Sequence, residues 1–425
     1  MSTRTAKRKN PPNRKDFMSY DLIIIGGGAA GMTAACMAAG RYGKSVLLLE
    51  RNPRLGKKLL ITGKGRCNIT NNCDVNGLIA NIPRNPRFLY SAFNNFSPQD
   101  TISFFESLGV PVKTERGNRV FPQSDRAYDV AAALEQELRR LKVKVRTERA
   151  LRLLLEDGRV TGVRCESGVE YLAPSVLIAT GGKSYPLTGS TGDGYELAKQ
   201  AGHSVVPPVP SLIPILTEEK DVKDMQGLSL KNVTLTVSEK GKSIYSELGE
   251  MLFTHFGVSG PLILSASAHM REPDKGRYLM EIDLKPGLTE EQLDKRLLRD
   301  FSQNLNRDII NSLGALLPRK MIPVVLKRSG IPFETKIHEV TKEQRQTLLR
   351  AVKAFSLHPT GFRPIEEAII TSGGVDVKEV NPKTMESKLL EGLFFAGEVL
   401  DVDGYTGGFN LQIAFATAHL AALYA

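Results

Sequence analysis

Cysteine and histidine are scarce in this 425-residue chain, and neither is spaced for metal or dithiol chemistry. Cys36, Cys67, Cys73 and Cys165 contain no C-x-x-C pair, which excludes a dithiol redox centre and the usual zinc spacing. Four thiols are too few for a disulfide framework, so reduced cysteines are expected. The six histidines are scattered, with no H-E-x-x-H, and no metal site is expected. Any redox cofactor should be organic. Long apolar runs are missing too, since nothing approaches the roughly 18–20 residues of a membrane span. The N-terminal segment has no apolar stretch ahead of Lys7, Arg8 and Lys9, which argues against a secretory signal and predicts a cytoplasmic protein without membrane contact.

The charge is lopsided. Of a net +11, Arg4, Lys7, Arg8, Lys9, Arg14 and Lys15 against Asp16 place +5 in residues 1–17 and leave +6 in the body. Pro11-Pro12-Asn13 predicts that this basic tail is disordered. The remaining charge is compatible with RNA contact through a basic surface, because Lys and Arg that neutralise phosphates supply most non-specific affinity. It is equally compatible with an ordinary solvated surface.

A dinucleotide fingerprint follows the tail. Asp21-Leu-Ile-Ile-Ile25 reads as a buried parallel strand, and it runs into Gly26-Gly-Gly28-Ala29-Ala30-Gly31 and an Ala-rich helix. In that context Gly26 allows a tight turn, Gly28 lets a pyrophosphate approach the backbone, and Gly31 lets helix and strand pack closely. The helix N-terminus, at Ala29 and Ala30, then offers free N–H groups to phosphate. Ser45-Val-Leu-Leu-Leu-Glu50 is the second strand, closed by an acid placed for ribose hydroxyls, with Arg51 beside it.

Two further segments favour FAD over NAD. Leu177-Ile-Ala-Thr180-Gly181-Gly182 and Leu393-Phe-Phe-Ala-Gly397-Glu398 are apolar strands running into glycine turns. A carboxylate such as Glu398 suits a ribityl chain, which NAD lacks, and a helix after Gly407-Gly408 can aim its amides at the pyrimidine edge of a flavin. In Thr62-Gly63-Lys64-Gly65-Arg66-Cys67-Asn68, glycines allow close approach while Lys64 and Arg66 offer positive charge to a reduced flavin or a pyrophosphate. The alternative reading makes Arg66 and Asn68 ties between that loop and the sheet.

From Ser19 to Tyr424 the chain resembles the BaiN/YhiN-type NAD(P)/FAD-dependent oxidoreductases, also called aminoacetone oxidase-like flavoproteins. The resemblance is carried by Ile24-Ile-Gly-Gly-Gly-Ala-Ala-Gly31, by the run from Gly56 to Asn71, by Val120-Phe-Pro-Gln-Ser124, by Ala179 to Pro186, and by Gly404-Tyr-Thr-Gly-Gly-Phe-Asn-Leu-Gln-Ile-Ala414. It implies one non-covalent FAD per chain, near Glu50, the Gly63–Asn68 loop, the Ala150 backbone, Glu398, Asn410 and Leu411. Lys58 and Gly408, within the same motifs, complete the expected cofactor contacts.

The expected fold is α/β: a Rossmann-like FAD-binding domain over 18–203 and 373–425, interrupted by a strand-rich insert over 204–372 with a helical subdomain at about 286–335. Pro207-Pro-Val-Pro210 marks the boundary, as a stretch unfit for helix or central strand. Residues 232–239 alternate as a strand and Lys-Gly-Lys follows as a hairpin turn. Thr289 and Thr341 open helices with capping boxes, and two more helices are expected, one before Gly314 and one between Pro318 and Gly330.

No second strand-linked G-x-G-x-x-G is present, so NAD(P)H is expected only as a transient reductant. The resemblance implies either amine oxidation or reduction of activated C=C bonds, in small molecules such as steroid enones or in a uridine base of ribosomal RNA. A C=C reductase needs a proton donor, and Cys67, Tyr185, His255 and Tyr405 are the candidates, Cys67 lying in the cofactor loop. The alternative of another class is a non-enzymatic FAD-containing RNA-binding module. The oligomeric state is not legible here. The fingerprint makes one outcome specific: denatured protein should release FAD, because Glu50 and the pyrophosphate turn serve an adenosine half that FMN lacks, and chromatography recovering FMN alone would sink this reading.

Overall fold

The computed structural model describes residues 19–425, so the expected disordered tail at 1–17 lies outside the described residues. The chain divides into two units. The first runs up to Pro208 and resumes at Gly373–Ala425, and the second is Val209–Ser372.

The first unit is built on a five-stranded parallel sheet in the order Leu393–Phe395, Ser175–Ile178, Leu22–Ile25, Val46–Glu50, Lys144–Thr147. Ile23, Leu47 and Val176 stand side by side in register and are fully or nearly fully enclosed. That explains the unbroken apolar runs, since a parallel strand covered on both faces has no solvent side to make polar. Two helices cover the sheet centre. Ala29–Arg41 is rich in alanine, and this small surface lets Phe409–Tyr424 pack along it. Phe409–Tyr424 is buried around nearly its whole circumference, with Phe415 meeting Phe105 edge-on at 5.2 Å. Two small antiparallel sheets complete the unit, one of Thr70–Asn71, Arg119–Pro122 and Val112–Glu115, the other of Ala150–Glu156, Arg159–Cys165 and Glu170–Leu172.

The prolines at 207, 208 and 210 lie in a strand, Val205–Ser211, which belongs to a two-stranded sheet with Ile370–Val375. A residue without an N–H is tolerated in such a ladder because one side needs no donor.

The second unit centres on a seven-stranded sheet in which Ser229–Glu239 and Lys242–Phe253 form the long hairpin, turning at Lys240 and Gly241 with φ of 49° and 80°. Val233, Leu235 and Val237 face its core in strict alternation. Helices Glu290–Ser302, Ile322–Arg328 and Lys342–Lys353 pack by Leu293, Leu297, Leu348 and Val352, and both threonine capping boxes form. The helix expected before Gly314 is not there. Only a single 3-10 turn, Ile309–Asn311, forms, because the Ile309 amide donates to Thr335 and the Asp308 carboxylate holds Lys336. Among the described residues no helix is long and apolar enough to cross a membrane.

One buried polar side chain ties the first unit together. Gln412 accepts from Thr70 Oγ1 at 2.6 Å and Thr101 Oγ1 at 2.8 Å, and donates to the Phe96 carbonyl at 2.8 Å. Gln412→Ala would strand Thr70 Oγ1 and the Phe96 carbonyl, while Thr101 Oγ1 keeps the Ser97 carbonyl at 3.2 Å, so a loss of roughly 2–3 kcal/mol in unfolding free energy is expected from urea denaturation. An unchanged midpoint would show that this network does not hold the helix.

Candidate functional site

The carboxyl ends of the central strands meet at the point where strand order reverses, between Leu22–Ile25 and Ser175–Ile178. In open α/β sheets this is where ligands bind. Each fingerprint glycine has a different local reason. Gly26 has φ of 105°, and a Cβ there would stand 2.6 Å from the Ala179 carbonyl oxygen. A Cβ on Gly31 would stand 1.8 Å from the Gly26 carbonyl oxygen. Gly28 is the opposite case: its φ is −85° and a Cβ would meet nothing within 4 Å. Protein packing demands glycine at 26 and 31, whereas at 28 the space is simply open.

Helix Ala29–Arg41 begins at this opening. No side chain caps it and its first turn holds no acid. The amides of Ala29, Ala30 and Gly31 are those that an α-helix leaves without intrahelical acceptors, so its N-terminus favours an anion.

Glu50 ends the neighbouring strand. Its Oε2 accepts the Gly27 amide at 2.7 Å, and its Oε1 accepts Asn52 N and Nδ2, each at 2.8 Å. A carboxylate has about four acceptor positions, so capacity remains for hydroxyl donors. The Glu148 amide donates to the Glu50 carbonyl at 2.9 Å, which brings the start of the strand at Ala150 alongside. Arg51 reaches Thr191 Oγ1 at 2.6 Å and Asp193 at 3.1 Å, and Asp193 also receives Arg149 at 2.8 and 3.0 Å. Arg149 beside it holds the Asp193 carboxyl below the usual carboxylate range despite burial.

On the other side, Gly397 has φ of 77°, and a Cβ there would stand 3.0 Å from Ala30 Cβ and 3.8 Å from Ala414 Cβ. The next residue, Glu398, accepts Lys58 Nζ at 2.6 Å and Ser184 Oγ at 3.0 Å, while Lys58 also donates to Ser184 at 2.6 Å. Helix Phe409–Tyr424 starts from Gly408 with φ of 100°, uncapped by any side chain. A Cβ on Gly408 would lie 2.3 Å from the Thr70 backbone. Asn410 turns back to clasp Gly404 through both its oxygen, at 2.8 Å, and its nitrogen, at 2.7 Å. The amides of Asn410 and Leu411 are thereby left at a second bare helix start.

The loop Gly63–Cys67 is left-handed at Gly63, Lys64, Gly65 and Cys67, with φ of 56°, 58°, 83° and 60°. Arg66 within it does not present free charge. It bonds Glu115 at 2.5 Å and Asp125 at 2.6 Å and lies 4.0 Å above the Phe121 ring. Of the cations clustered around this loop, Lys58 and Arg66 are therefore paired with carboxylates, while Lys57 donates to Asn52 Oδ1 and the Leu187 carbonyl. Burial pushes the Cys67 thiol up to about 12, so it is protonated at neutral pH, but it is wholly enclosed in the core. Tyr185 and Tyr405 keep partial exposure, and His255 is exposed in the second unit.

Four buried oxygens in this region lack hydrogen-bond partners, Thr33 Oγ1, Asn68 Oδ1, Thr180 Oγ1 and Tyr195 OH. Thr180 opens the turn through Gly181 and Gly182 that abuts Gly26. Orphaned polar atoms, an open cradle at Gly28 and two bare helix starts fit an anionic dinucleotide with further polar groups. The sequence reading overlooked Asn52, Ser184, Arg149 and Asp193. Ser184 lies inside a quoted motif and Asn52 bonds Glu50 two residues away, whereas Arg149 and Asp193 meet across 44 residues and nothing local marks them.

Fold and site together define an FAD-dependent oxidoreductase of the Rossmann type. The chain belongs to the family whose model is described as the HI0933-like protein Rossmann domain, which matches residues 20–424. A Clostridium scindens protein named 3-dehydro-bile acid delta(4,6)-reductase is 34% identical over 405 residues, covering 94% of this chain and 97% of that one. A Haemophilus influenzae protein named ribosomal RNA dihydrouridine synthase is 33% identical over 407 residues, again covering 94% and 97%. Among solved structures, a variant FrdA chain of E. coli quinol fumarate reductase shares the fold, with a TM-score of 0.51 at 16% identity over 96% of this chain and 69% of that one.

The contrast between the glycines is directly testable. Gly28→Val should fold with an unfolding midpoint close to that of cofactor-free wild type yet purify colourless, because only a ligand competes for that space. Gly31→Val should lose stability even without cofactor. A Gly28→Val protein that stays yellow with unchanged FAD affinity would mean the phosphates lie elsewhere.

Proposed function

We propose that this flavoenzyme reduces a carbon–carbon double bond activated by a neighbouring carbonyl, with NAD(P)H as transient electron source and a uridine base of ribosomal RNA as substrate. The observation that carries the reading is that two relatives matched over 94% of the chain bear names describing one kind of chemistry, a delta(4,6)-reductase of a 3-dehydro-bile acid and a dihydrouridine synthase. Both names imply saturation of C=C beside C=O. Bound FAD supplies the two-electron transfer for such a step.

The chain's own residues have separable tasks in this reading. The amides of Ala29, Ala30 and Gly31 hold the pyrophosphate over open Gly28, and Glu50, with Arg51 and the Ala150 backbone beside it, receives the adenosine half. Thr180, Gly181, Gly182, Gly397 and Glu398 line the middle of the cofactor, with Lys58 and Ser184 fixing the Glu398 carboxylate. Gly63, Gly65 and Asn68, with Gly408, Asn410 and Leu411, surround the flavin end. Arg66 acts there by holding the loop's shape through Glu115 and Asp125. Tyr185 and Tyr405 are candidate proton donors by exposure, whereas Cys67, enclosed in the core, would need a path to the substrate.

Charge supports the RNA substrate over a cationic amine, since a body carrying +6 attracts phosphate and gains nothing with an ammonium group. The Clostridium relative favours a second reading, a free enone such as a 3-oxo steroid. Comparing ribosomal RNA from cells with and without the gene separates them. Loss of a dihydrouridine, restored by wild type and not by Gly28→Val, is the expected outcome. If no base changes and the purified enzyme bleaches with NADPH and reoxidises on an enone, the small-molecule reading takes its place; oxygen consumption with small amines would defeat both.

A further inference from the structure

Away from the cofactor turn, the first unit carries an exposed aromatic ring between two uncommitted guanidinium groups. Helix Ala127–Arg140 starts from Arg126, which has extended backbone and makes no capping bond. Its second residue, Tyr128, is 51% exposed. The Arg126 guanidinium carbon lies 5.8 Å from the centre of that ring, and that of Arg54, from the loop after Glu50, lies at 5.7 Å. Among the described residues neither arginine has a carboxylate within ion-pair distance, unlike Lys58, Arg66 and Arg149 of the same unit. An exposed tyrosine beside two unpaired arginines contributes little to folding, which leaves recognition as the use for it.

Beside the ring is a cavity of about 340 Å3, walled by Pro53, Leu55 and Ala131 with Arg54, Tyr128 and Glu135 at its polar edge. Glu135, accompanied by Arg139 at 3.7 Å, lines the cavity and carries the only carboxylate among its lining residues. The cavity backs onto the dinucleotide turn, because Leu55 presses its other side towards Gly27, only 2.4 Å from where a Cβ would be.

We propose that Tyr128, Arg54 and Arg126 form a contact for single-stranded RNA, with a base laid against the Tyr128 and arginine planes, backbone phosphates at the two guanidinium groups, and a ribose 2′-hydroxyl or base N–H donating to Glu135. Single-stranded RNA is recognised by this combination, unstacked bases on aromatic or guanidinium planes together with cations on the backbone. The ring's sequence-tolerant stacking suits nucleotides flanking a modified base rather than the base itself. This contact rests on the RNA reading of the substrate and gives it a location.

The test uses the holoenzyme and a fluorescein-labelled twelve-nucleotide oligouridylate followed by anisotropy. Tyr128→Ala should weaken binding at least about five-fold, while Tyr128→Phe, which keeps the ring, should stay within about two-fold of wild type. The double variant Arg54→Ala, Arg126→Ala should lower the slope of log affinity against log salt by about 1.4, at about 0.7 per phosphate on a single strand. Retained flavin absorbance on each variant shows that it is folded. Binding of Tyr128→Ala within two-fold of wild type, or an unchanged salt slope in the double variant, overturns the contact and leaves the RNA reading standing. Loss of NADPH-driven flavin bleaching with RNA binding intact also overturns it and assigns the ring to the free dinucleotide. A wild-type enzyme that does not bind the oligonucleotide defeats the RNA reading and this contact together.

Discussion

The site depends on backbone approaching backbone at Gly26. The Ala179 carbonyl closes in from one strand end and Gly31 from the following helix, and neither leaves room for a methyl group. Because those three segments touch directly, the ends of the two central strands and the start of helix Ala29–Arg41 form one rigid corner. The remaining glycine of the fingerprint faces outward from that corner into free space. Gly397 repeats the device, separating Ala30 of one helix from Ala414 of the other by a residue without a side chain. Two helix starts are thereby held near each other, each with amides that no side chain has claimed.

This arrangement changes where the positive potential comes from. Counting lysines and arginines around the Gly63–Cys67 loop suggests a strong cationic patch, yet Lys58 is matched by Glu398 and Arg66 by Glu115 and Asp125. The paired groups give shape: Lys58 fixes a carboxylate that would otherwise repel an anion, and Arg66 ties a strained loop to the hairpin beneath it. What remains for a phosphate is Lys57 and the exposed Lys64, neither matched by a carboxylate among the described residues, and the pair of helix termini, whose partial charges are fixed in direction and need no side-chain ordering. Unpaired guanidinium groups occur instead on the outer surface, at Arg54 and Arg126. The charge that binds cofactor and the charge that could meet a polyanion are thus different in kind as well as in place.

Buried polar groups divide the same way. Gln412 is satisfied on every side and locks the C-terminal helix to Thr70, Thr101 and Phe96. Asn68 Oδ1 and Thr180 Oγ1, at the strand ends, are left without partners. Orphans also occur elsewhere among the described residues, at Thr217 Oγ1, Thr254 Oγ1 and His419 Nδ1, so an unpartnered atom points to a ligand only beside the open cradle at Gly28.

By itself the sequence determined the parallel strands, the glycine turn and the family, because these are written in short-range pattern: unbroken apolar runs, glycines at fixed spacing, an acid at a strand end. It also carried the capping boxes at Thr289 and Thr341, whose bonds span three residues. It misled where tertiary partners override local preference, as at 309–311, where a helix pattern yields to amides and carboxylates engaged with residues 335 and 336. Only the tertiary structure decided that Arg66 is neutralised, that Cys67 is enclosed, that Glu398 is held by Lys58 across 340 residues, and that Tyr128 stands between two arginines from separate segments. The physical reason is range: a side chain's charge, exposure and partners are set by whatever the fold brings within a few ångströms, and sequence spacing records that only when the partners are neighbours in the chain.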